Sequence, residues 1–470
     1  MRRREALGAK KEGGAGRTFS RREVLGTAGA LATATIVPRH VLGGQAGPAP
    51  SQRPNLAGVG VGGVGFGQVR ACEGAGFQVV ALCDIDDVYG KKAYDRWPKA
   101  RRYRDFREMY EAEGDKIDAV YCGTPDHTHA IITLPALKRK KHVCCVKPLT
   151  RTVRENRVVI AAAKKAGVAT QVTSSPNTTE TACRTCELIW AGAIGPVREV
   201  HIWSNRPLWP QGMERPAGQD EIPATFDWDL WLGPAPKRPF VANWPADHYA
   251  LAQVKAGRPR RAVYHPWNFR GWWDFGTGAL GDMGCHHLNT PYRALKLTYP
   301  RSVEATSTKV FEETAPLASI VTYEFPARGE LPPVRVVWYD GGLRPPCPKE
   351  LEGAPLPVGG GELYVGDEGV MLRDKVYPVA RAQKLADVPK TLPRRSGTWG
   401  EWFEAVGGGP AAGCPFEWAG LTTEFVLLGN IAIRAGKRLD YDAAAMKITN
   451  NQEADKLLDE PYHNGWSLEG

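Results

Sequence analysis

The stretch Asn55-Leu-Ala-Gly-Val-Gly-Val-Gly-Gly-Val-Gly65 decides the fold. An apolar strand runs into Gly60-Val61-Gly62-Gly63-Val64-Gly65, a G-x-G-x-x-G turn that predicts the opening of a helix. One glycine permits the tight turn, one lets backbone approach a pyrophosphate, and one lets helix and strand pack closely. The phosphates of a dinucleotide would then meet free N–H groups at a helix N-terminus, where the dipole favours negative charge. A second strand, Gln78-Val-Val-Ala-Leu-Cys83, follows and ends at Asp84. An acid at that distance accepts both ribose hydroxyls of NAD and repels the extra phosphate of NADP. NAD rather than NADP is therefore the expected cofactor.

Outward from this unit, strand and helix alternate. Strands are expected at 55–59, 78–83, 117–122, 141–145 and 168–172, with helices at about 65–75, 86–96, 104–113, 127–139 and 152–166. That alternation predicts an α/β fold, a doubly wound parallel sheet with helices on both faces. Ligands in such sheets bind beyond the carboxyl ends of the strands. The loops Gly123-Thr-Pro-Asp-His-Thr-His129 and Val146-Lys-Pro-Leu149 lie at those ends, so Thr124, Pro125 and His129 join the cofactor-binding candidates.

Beyond about Asn177, proline, tryptophan and glycine become frequent. Longer strands are expected at 197–204, 303–311, 318–325 and 334–340, and helices at 398–406 and 420–435. Between the first two of those strands runs an irregular, tryptophan-rich stretch, 205–275. This predicts an α+β domain on a large, open, mostly antiparallel sheet. The expected division is a leader at 1–50, a dinucleotide-binding domain at 51–176, and a substrate and oligomerisation domain at 177–470.

Charge and cysteine usage narrow the function further. The formal charge of +10 is concentrated at the start: residues 1–50 hold nine Lys/Arg against three Glu, a net of +6, leaving +4 for the rest. A weakly basic body with mixed signs is a solvated surface and not a phosphate-tracking groove, so no nucleic acid is expected. Ser20-Arg21-Arg22-Glu23-Val24-Leu25 precedes a mild apolar run, Gly26 to Pro38. Paired arginines before a weak apolar segment match a twin-arginine export signal, and the run is too short for a stable membrane span. Export to the periplasm by the twin-arginine machinery is the expectation. Of the ten cysteines, Cys83, Cys122, Cys144 and Cys285 read as small core residues, and the single Cys183-Arg-Thr-Cys186 has no second pair to complete a zinc site. No metal is expected.

Two segments carry candidate chemistry. In Gly281-Asp282-Met-Gly-Cys-His286-His287, Asp282 and His286 are four apart and would share a helical face. A carboxylate beside an imidazole orients the ring and raises its pKa, as a general base requires; a helix cap and a core histidine are the plainer alternative. Lys147 follows an apolar strand and precedes Pro148, which puts it beside the expected nicotinamide. An ammonium there binds a substrate hydroxyl and stabilises the developing oxyanion. In Tyr264-His-Pro-Trp-Asn-Phe-Arg-Gly-Trp-Trp-Asp274, Asn268, Arg270, Trp272 and Trp273 are candidates for a sugar-binding wall, although such rings also fill cores.

Together these motifs resemble the Gfo/Idh/MocA oxidoreductases, in particular their exported branch. The resemblance runs from the leader to about Trp466, and rests on Gly60–Gly65, Thr124–His129, Lys147-Pro148, Ile194–Glu199, Trp228–Ala235 and Trp272–His286. It implies a Rossmann domain, a C-terminal domain with a large open sheet, tightly held NAD(P), homo-oligomers (dimer or tetramer), and sugars, polyols or their derivatives as substrates. It further implies that Lys147, Asp282 and His286 act in hydride transfer. Two departures stand out: Val146 replaces the glutamate of the family's Glu-Lys-Pro motif, and Gln171–Glu180 lacks the expected Gly-Asn-Gln type of sequence. The expected activity is an NAD-dependent oxidoreductase acting on CH–OH groups. An NAD-dependent glycosidase working by oxidation and elimination, and a catalytically impaired sugar-binding homologue, are the alternatives.

Overall fold

The computed structural model describes residues 53–468 apart from 175–176, 253, 255–260 and 386; the expected leader lies outside the described residues. The first sheet contains β1 (Asn55–Val59), β2 (Gln78–Cys83), β3 (Arg101–Tyr103), β4 (Ala119–Cys122), β5 (His142–Cys145) and β6 (Thr170–Val172). Its order is β3-β2-β1-β4-β5-β6 and every pairing is parallel, the doubly wound order with its switch point between β1 and β4. The central strands are covered on both faces, which is why β1 and β4 are near-continuous apolar runs. The helices start where short polar side chains stop the strand-to-helix turns. Asp86 accepts from the N–H groups of Val88 and Tyr89, Asp105 accepts from Arg107 N–H, and Thr152 forms a reciprocal capping box with Glu155.

The second sheet has nine strands. These are β7 (Val197–Ser204), β8 (Ser302–Ser307), β9 (Ser319–Phe325), β10 (Val334–Tyr339), β11 (Gly360–Gly366), β12 (Gly369–Leu372), β13 (Lys375–Tyr377), β14 (Leu439–Asp442) and β15 (Lys447–Ile448). The order is β13-β12-β11-β7-β10-β9-β8-β14-β15, antiparallel except for the β7–β10 pair. β9 alternates buried and half-buried positions, as expected of a sheet with one face on the core. The β3, β11–β15 strands are additions to the sequence reading.

The C-terminal chain does not stay with the second sheet. The helix Thr398–Val406 packs on the first helix of the parallel domain, where Trp402 stacks on Phe77 with ring centroids 4.6 Å apart. The long helix Phe416–Ala435 packs on both Val153–Ala166 and Gly278–His287, and Trp466 stacks on Phe106. Residues 399–419 and 462–468 thus complete the cores around β1–β6, while the buried residues between 425 and 458 belong to the core of the second sheet. Trp402 is fully buried, and its truncation to alanine is expected to cost about 3–5 kcal/mol. No helix among the described residues is long and apolar enough to cross a membrane.

Candidate functional site

The glycine turn sits at the carboxyl end of β1, beside β4. At Gly60 (φ +74) a Cβ would lie 2.8 Å from Thr124 N, and at Gly65 it would lie 1.9 Å from Gly60 O. Neither position admits a side chain without breaking the turn. The helix Val64–Ala75 has Gly63 at its N-cap and no side-chain cap, so its first turn keeps N–H groups for an anion. A cavity of about 370 Å3 opens from this turn. Gly60, Gly62, Val64, Gly65, Asp84, Thr124, Pro125 and Lys147 line it; Gly63 and His129 do not.

Asp84 has a double attachment to that turn. One carboxylate oxygen accepts the N–H groups of Val61 and Gly62, both at 2.9 Å, and the other accepts Asp86 N–H at 3.1 Å. Burial pushes its carboxyl above the usual range, against the pull of His265 and of these three N–H groups. His129 is fully buried behind the cavity wall. Its ring nitrogens lie 2.8 Å from Pro148 O and 2.9 Å from Thr124 O, so it ties the Thr124-Pro125 loop to the Lys147-Pro148 loop. His129 also falls within 4.8 Å of the thiols of Cys122 and Cys145. With both nitrogens engaged by carbonyl oxygens, its imidazole is committed to bracing the loops and not to ligating an ion.

The catalytic candidates enter from the other side. Helix Gly278–His287 carries Asp282 and His286 into the cavity. The Lys147 ammonium donates to Asp282 Oδ1 and to the Asp282 carbonyl, each at 2.5 Å, and Arg270 Nε donates to the same Oδ1 at 3.0 Å. Burial opposes ionisation of Asp282, but the Lys147 and Arg270 cations outweigh it and hold the carboxyl well below the usual carboxylate range. The spacing argument had Asp282 orienting His286 and raising its pKa. The structure corrects this: the carboxylate turns to the two cations, since full charges attract more strongly than a neutral ring. Burial first, and then the Lys147 ammonium, push the His286 imidazole down to about 3. The ring is therefore neutral, with a lone pair to take a proton. Its neighbour His287 turns away to pair with Glu362.

The expected sugar wall is also corrected. Of its four residues only Arg270 lines the cavity. Asn268 is fully buried and donates to Ala262 O, while Trp272 donates to Val263 O at 3.0 Å from inside an aromatic core. Trp273 belongs to the core beneath the large sheet. Successive residues on an extended turn point in opposite directions, so Trp272 and Trp273 fill two different cores.

Further lining residues bear on the chemistry, among them Tyr89, Asp126, His265 and Trp267. The Tyr89 ring lies against the glycine turn, where a Cβ on Gly62 would be 2.1 Å from it. Asp126 accepts from Thr277 Oγ1 at 2.7 Å, joining the two domains beside Lys147. His265 reaches Asp86 at 3.2 Å and meets the Tyr89 ring edge-on at 5.0 Å. Asp87 N–H donates to Thr225 O and Asp227 N–H to Ile85 O, so the irregular segment is tied to the chain just beyond β2, at the edge of the cavity. Histidine and tryptophan in His265-Pro-Trp267 were the available signal.

Residues 55–174 match the family profile "Oxidoreductase family, NAD-binding Rossmann fold", and residues 207–325 match "Oxidoreductase family, C-terminal alpha/beta domain". Inositol 2-dehydrogenase of Salmonella typhimurium is 31% identical over 112 residues, 23% of this chain and 33% of that protein. The chain thus spans about a third of the length of the curated relatives it matches first. Among solved structures, the WlbA dehydrogenase of Bordetella pertussis, in complex with NADH and UDP-GlcNAcA, superposes with a TM-score of 0.55 at 14% identity, covering 83% of this chain and 99% of that one. An inositol dehydrogenase homologue of Azotobacter vinelandii, complexed with NADH and myo-inositol, gives 0.52 at 18% identity, covering 83% and 98%. At such identities the likeness establishes the fold.

Proposed function

We propose that this chain, which belongs to the Gfo/Idh/MocA oxidoreductase family, oxidises a CH–OH carbon of a sugar, polyol or sugar derivative with NAD. One observation carries the reading: a glycine cradle that excludes side chains and a Lys147–Asp282–Arg270–His286 cluster line the same cavity. The cradle fits a dinucleotide. Gly60 and Gly65 permit the tight turn and its close packing on Thr124 and on the turn's own backbone, Gly62 lies against the Tyr89 ring, and Asp84 stands where a ribose diol would be read. Bound NAD supplies the hydride acceptor.

The chain's own groups do the rest. Lys147, held by Asp282, donates to the substrate oxygen and stabilises the charge that grows on it. His286, neutral and bordering the cavity, is the group placed to take the hydroxyl proton, although burial beside the Lys147 ammonium leaves it a weaker base than a free imidazole. Arg270 keeps Asp282 ionised and so keeps Lys147 aimed. Val146 removes the family's neighbouring glutamate, but Lys147 obtains a carboxylate from Asp282 instead, which favours an active enzyme over an impaired homologue.

The hydrogen bonds that tie Thr225 and Asp227 to the segment after β2, at the edge of the cavity, favour a second reading in which NAD is retained and re-oxidised in place. A redox-neutral glycosidase would work this way. Export by the twin-arginine route and assembly into homo-oligomers complete the proposal; fractionation of cells and light scattering test them. The central test is absorbance and mass of the nucleotide in purified protein, before and after mixing with sugars, cyclitols and glycosides. Accumulated reduced nicotinamide supports the dehydrogenase. Glycoside hydrolysis without it supports the second reading. Protein that never binds a dinucleotide refutes both.

A further inference from the structure

We propose that Trp267 is the platform on which a cyclic substrate lies, so that the chain selects pyranoses and cyclitols over open-chain polyols. The proposal rests on the oxidoreductase reading above and names the substrate class of that site. Seven tryptophans fall within 205–275, and six of them are buried; Trp267 is the one that is not. It lines the cavity together with Lys147, Asp282 and His286.

The ring is held in place by more than packing. Trp267 has φ +79 and ψ −48, a backbone conformation that residues with a Cβ rarely adopt. Such outliers persist where surrounding structure enforces them, and they cluster at ligand-binding positions. The Arg270 guanidinium sits 4.0 Å from the Trp267 ring centroid and donates to Trp267 O at 3.0 Å. Trp209 meets the same ring edge-on at 6.4 Å. The orientation of the indole is therefore tied, through Arg270, to the carboxylate that aims Lys147.

A flat, electron-rich face at this place recognises the C–H face of a saturated ring. An open-chain polyol presents no such face. Stacking also selects which ring carbon faces Lys147 and His286, since a ring lying on the indole can turn only about the stacking axis.

The test uses the full chain loaded with NAD, as wild type, Trp267→Phe and Trp267→Ala. Dissociation constants are measured by calorimetry for myo-inositol, methyl β-D-glucopyranoside and D-sorbitol, with KM and kcat wherever turnover occurs. Wild type is expected to bind at least one of the two cyclic compounds more tightly than sorbitol. Trp267→Ala is expected to weaken that binding and raise KM by about tenfold, with Trp267→Phe closer to wild type. Bound nucleotide and sorbitol binding should stay near wild-type values. Three results would overturn the proposal: unchanged cyclic binding in Trp267→Ala, wild-type preference for sorbitol, or a fall in kcat at constant KM. The last would make Trp267 a positioning residue for Arg270. Because calorimetry reads binding directly, loss of hydride transfer alone would sink the oxidoreductase reading and leave this one standing.

Discussion

Replacing Asp282 with asparagine removes one negative charge from between two cations and changes little else in shape. The carboxylate lies 2.5 Å from Lys147 Nζ and 3.0 Å from Arg270 Nε, and all three side chains are 12–15% exposed. Two unit charges 4 Å apart at an effective dielectric of about 20 interact by about 4 kcal/mol. Deleting one partner of a mostly buried pair typically costs about 3–5 kcal/mol, because the remaining charge stays desolvated. Unfolding entropy of about 2.1 cal/mol/K per residue gives about 1 kcal/mol/K for a chain of 470 residues, so the melting temperature should fall by about 3–5 °C. The pH dependence has a definite sign. Asp282 is held below the usual carboxylate range, so its stabilisation is present above about pH 4 and is lost as pH falls through the folded-state value. The gap between wild type and Asp282→Asn should be full at pH 7 and narrow below about pH 4. Thermal melts at several pH values measure it. With Lys147 released, kcat should fall about a hundredfold. Equal melting temperatures at pH 7 together with wild-type turnover would refute the ion-pair argument.

The remaining predictions concern the base and the cradle. The His286 imidazole is pushed down to about 3, so the acid limb of the kcat profile should lie well below the ordinary histidine value of about 6.5, and His286→Asn should lower kcat by about 10²–10⁴-fold. An acid limb centred near pH 6.5 would count against it. The same depression means that the unfolded chain takes up this proton first, so His286 makes stability decline as pH drops from about 6.5 towards 3, and His286→Asn should flatten that decline in melts. Gly65→Ala places a Cβ 1.9 Å from Gly60 O, and nucleotide content of the purified variant should drop to background; normal content would show that the turn yields. Asp84→Ser removes two bonds to the glycine turn and the anion that repels a 2′-phosphate. It should weaken NAD by about tenfold or more while narrowing the NAD/NADP ratio in equilibrium titrations; unchanged affinity for both would refute the assignment.

What the sequence made legible follows from how local each feature is. The G-x-G-x-x-G turn, the β2 end at Asp84 and the Lys147-Pro148 loop are set by short-range backbone geometry, and all three lie on the cavity wall. The strands β1, β2 and β10 were readable from runs of four or five apolar residues, and β7 from its length of eight residues. β3 is the charged tripeptide Arg101-Arg-Tyr103, and β12 to β15 are two to four residues long, too short to show a period. Helical spacing correctly put Asp282 and His286 on one face, but it could not show that Lys147, 135 residues earlier, would capture the carboxylate. Nor could composition sort buried tryptophans from exposed ones. Trp272 and Trp267 share a segment and a chemistry, and only tertiary packing sends one to the core and the other to the cavity.

Isotope transfer tests the central claim most directly. Protein loaded with NAD is mixed with myo-inositol or methyl β-D-glucopyranoside deuterated at the ring carbons, and the bound nucleotide is released and weighed. If the glycine cradle and the Lys147–His286 cluster serve one reaction, the reduced nucleotide gains a single deuterium, and Lys147→Ala and His286→Asn abolish that gain without emptying the cradle. A nucleotide that stays unlabelled in protein shown to hold both NAD and the cyclic compound would contradict the account.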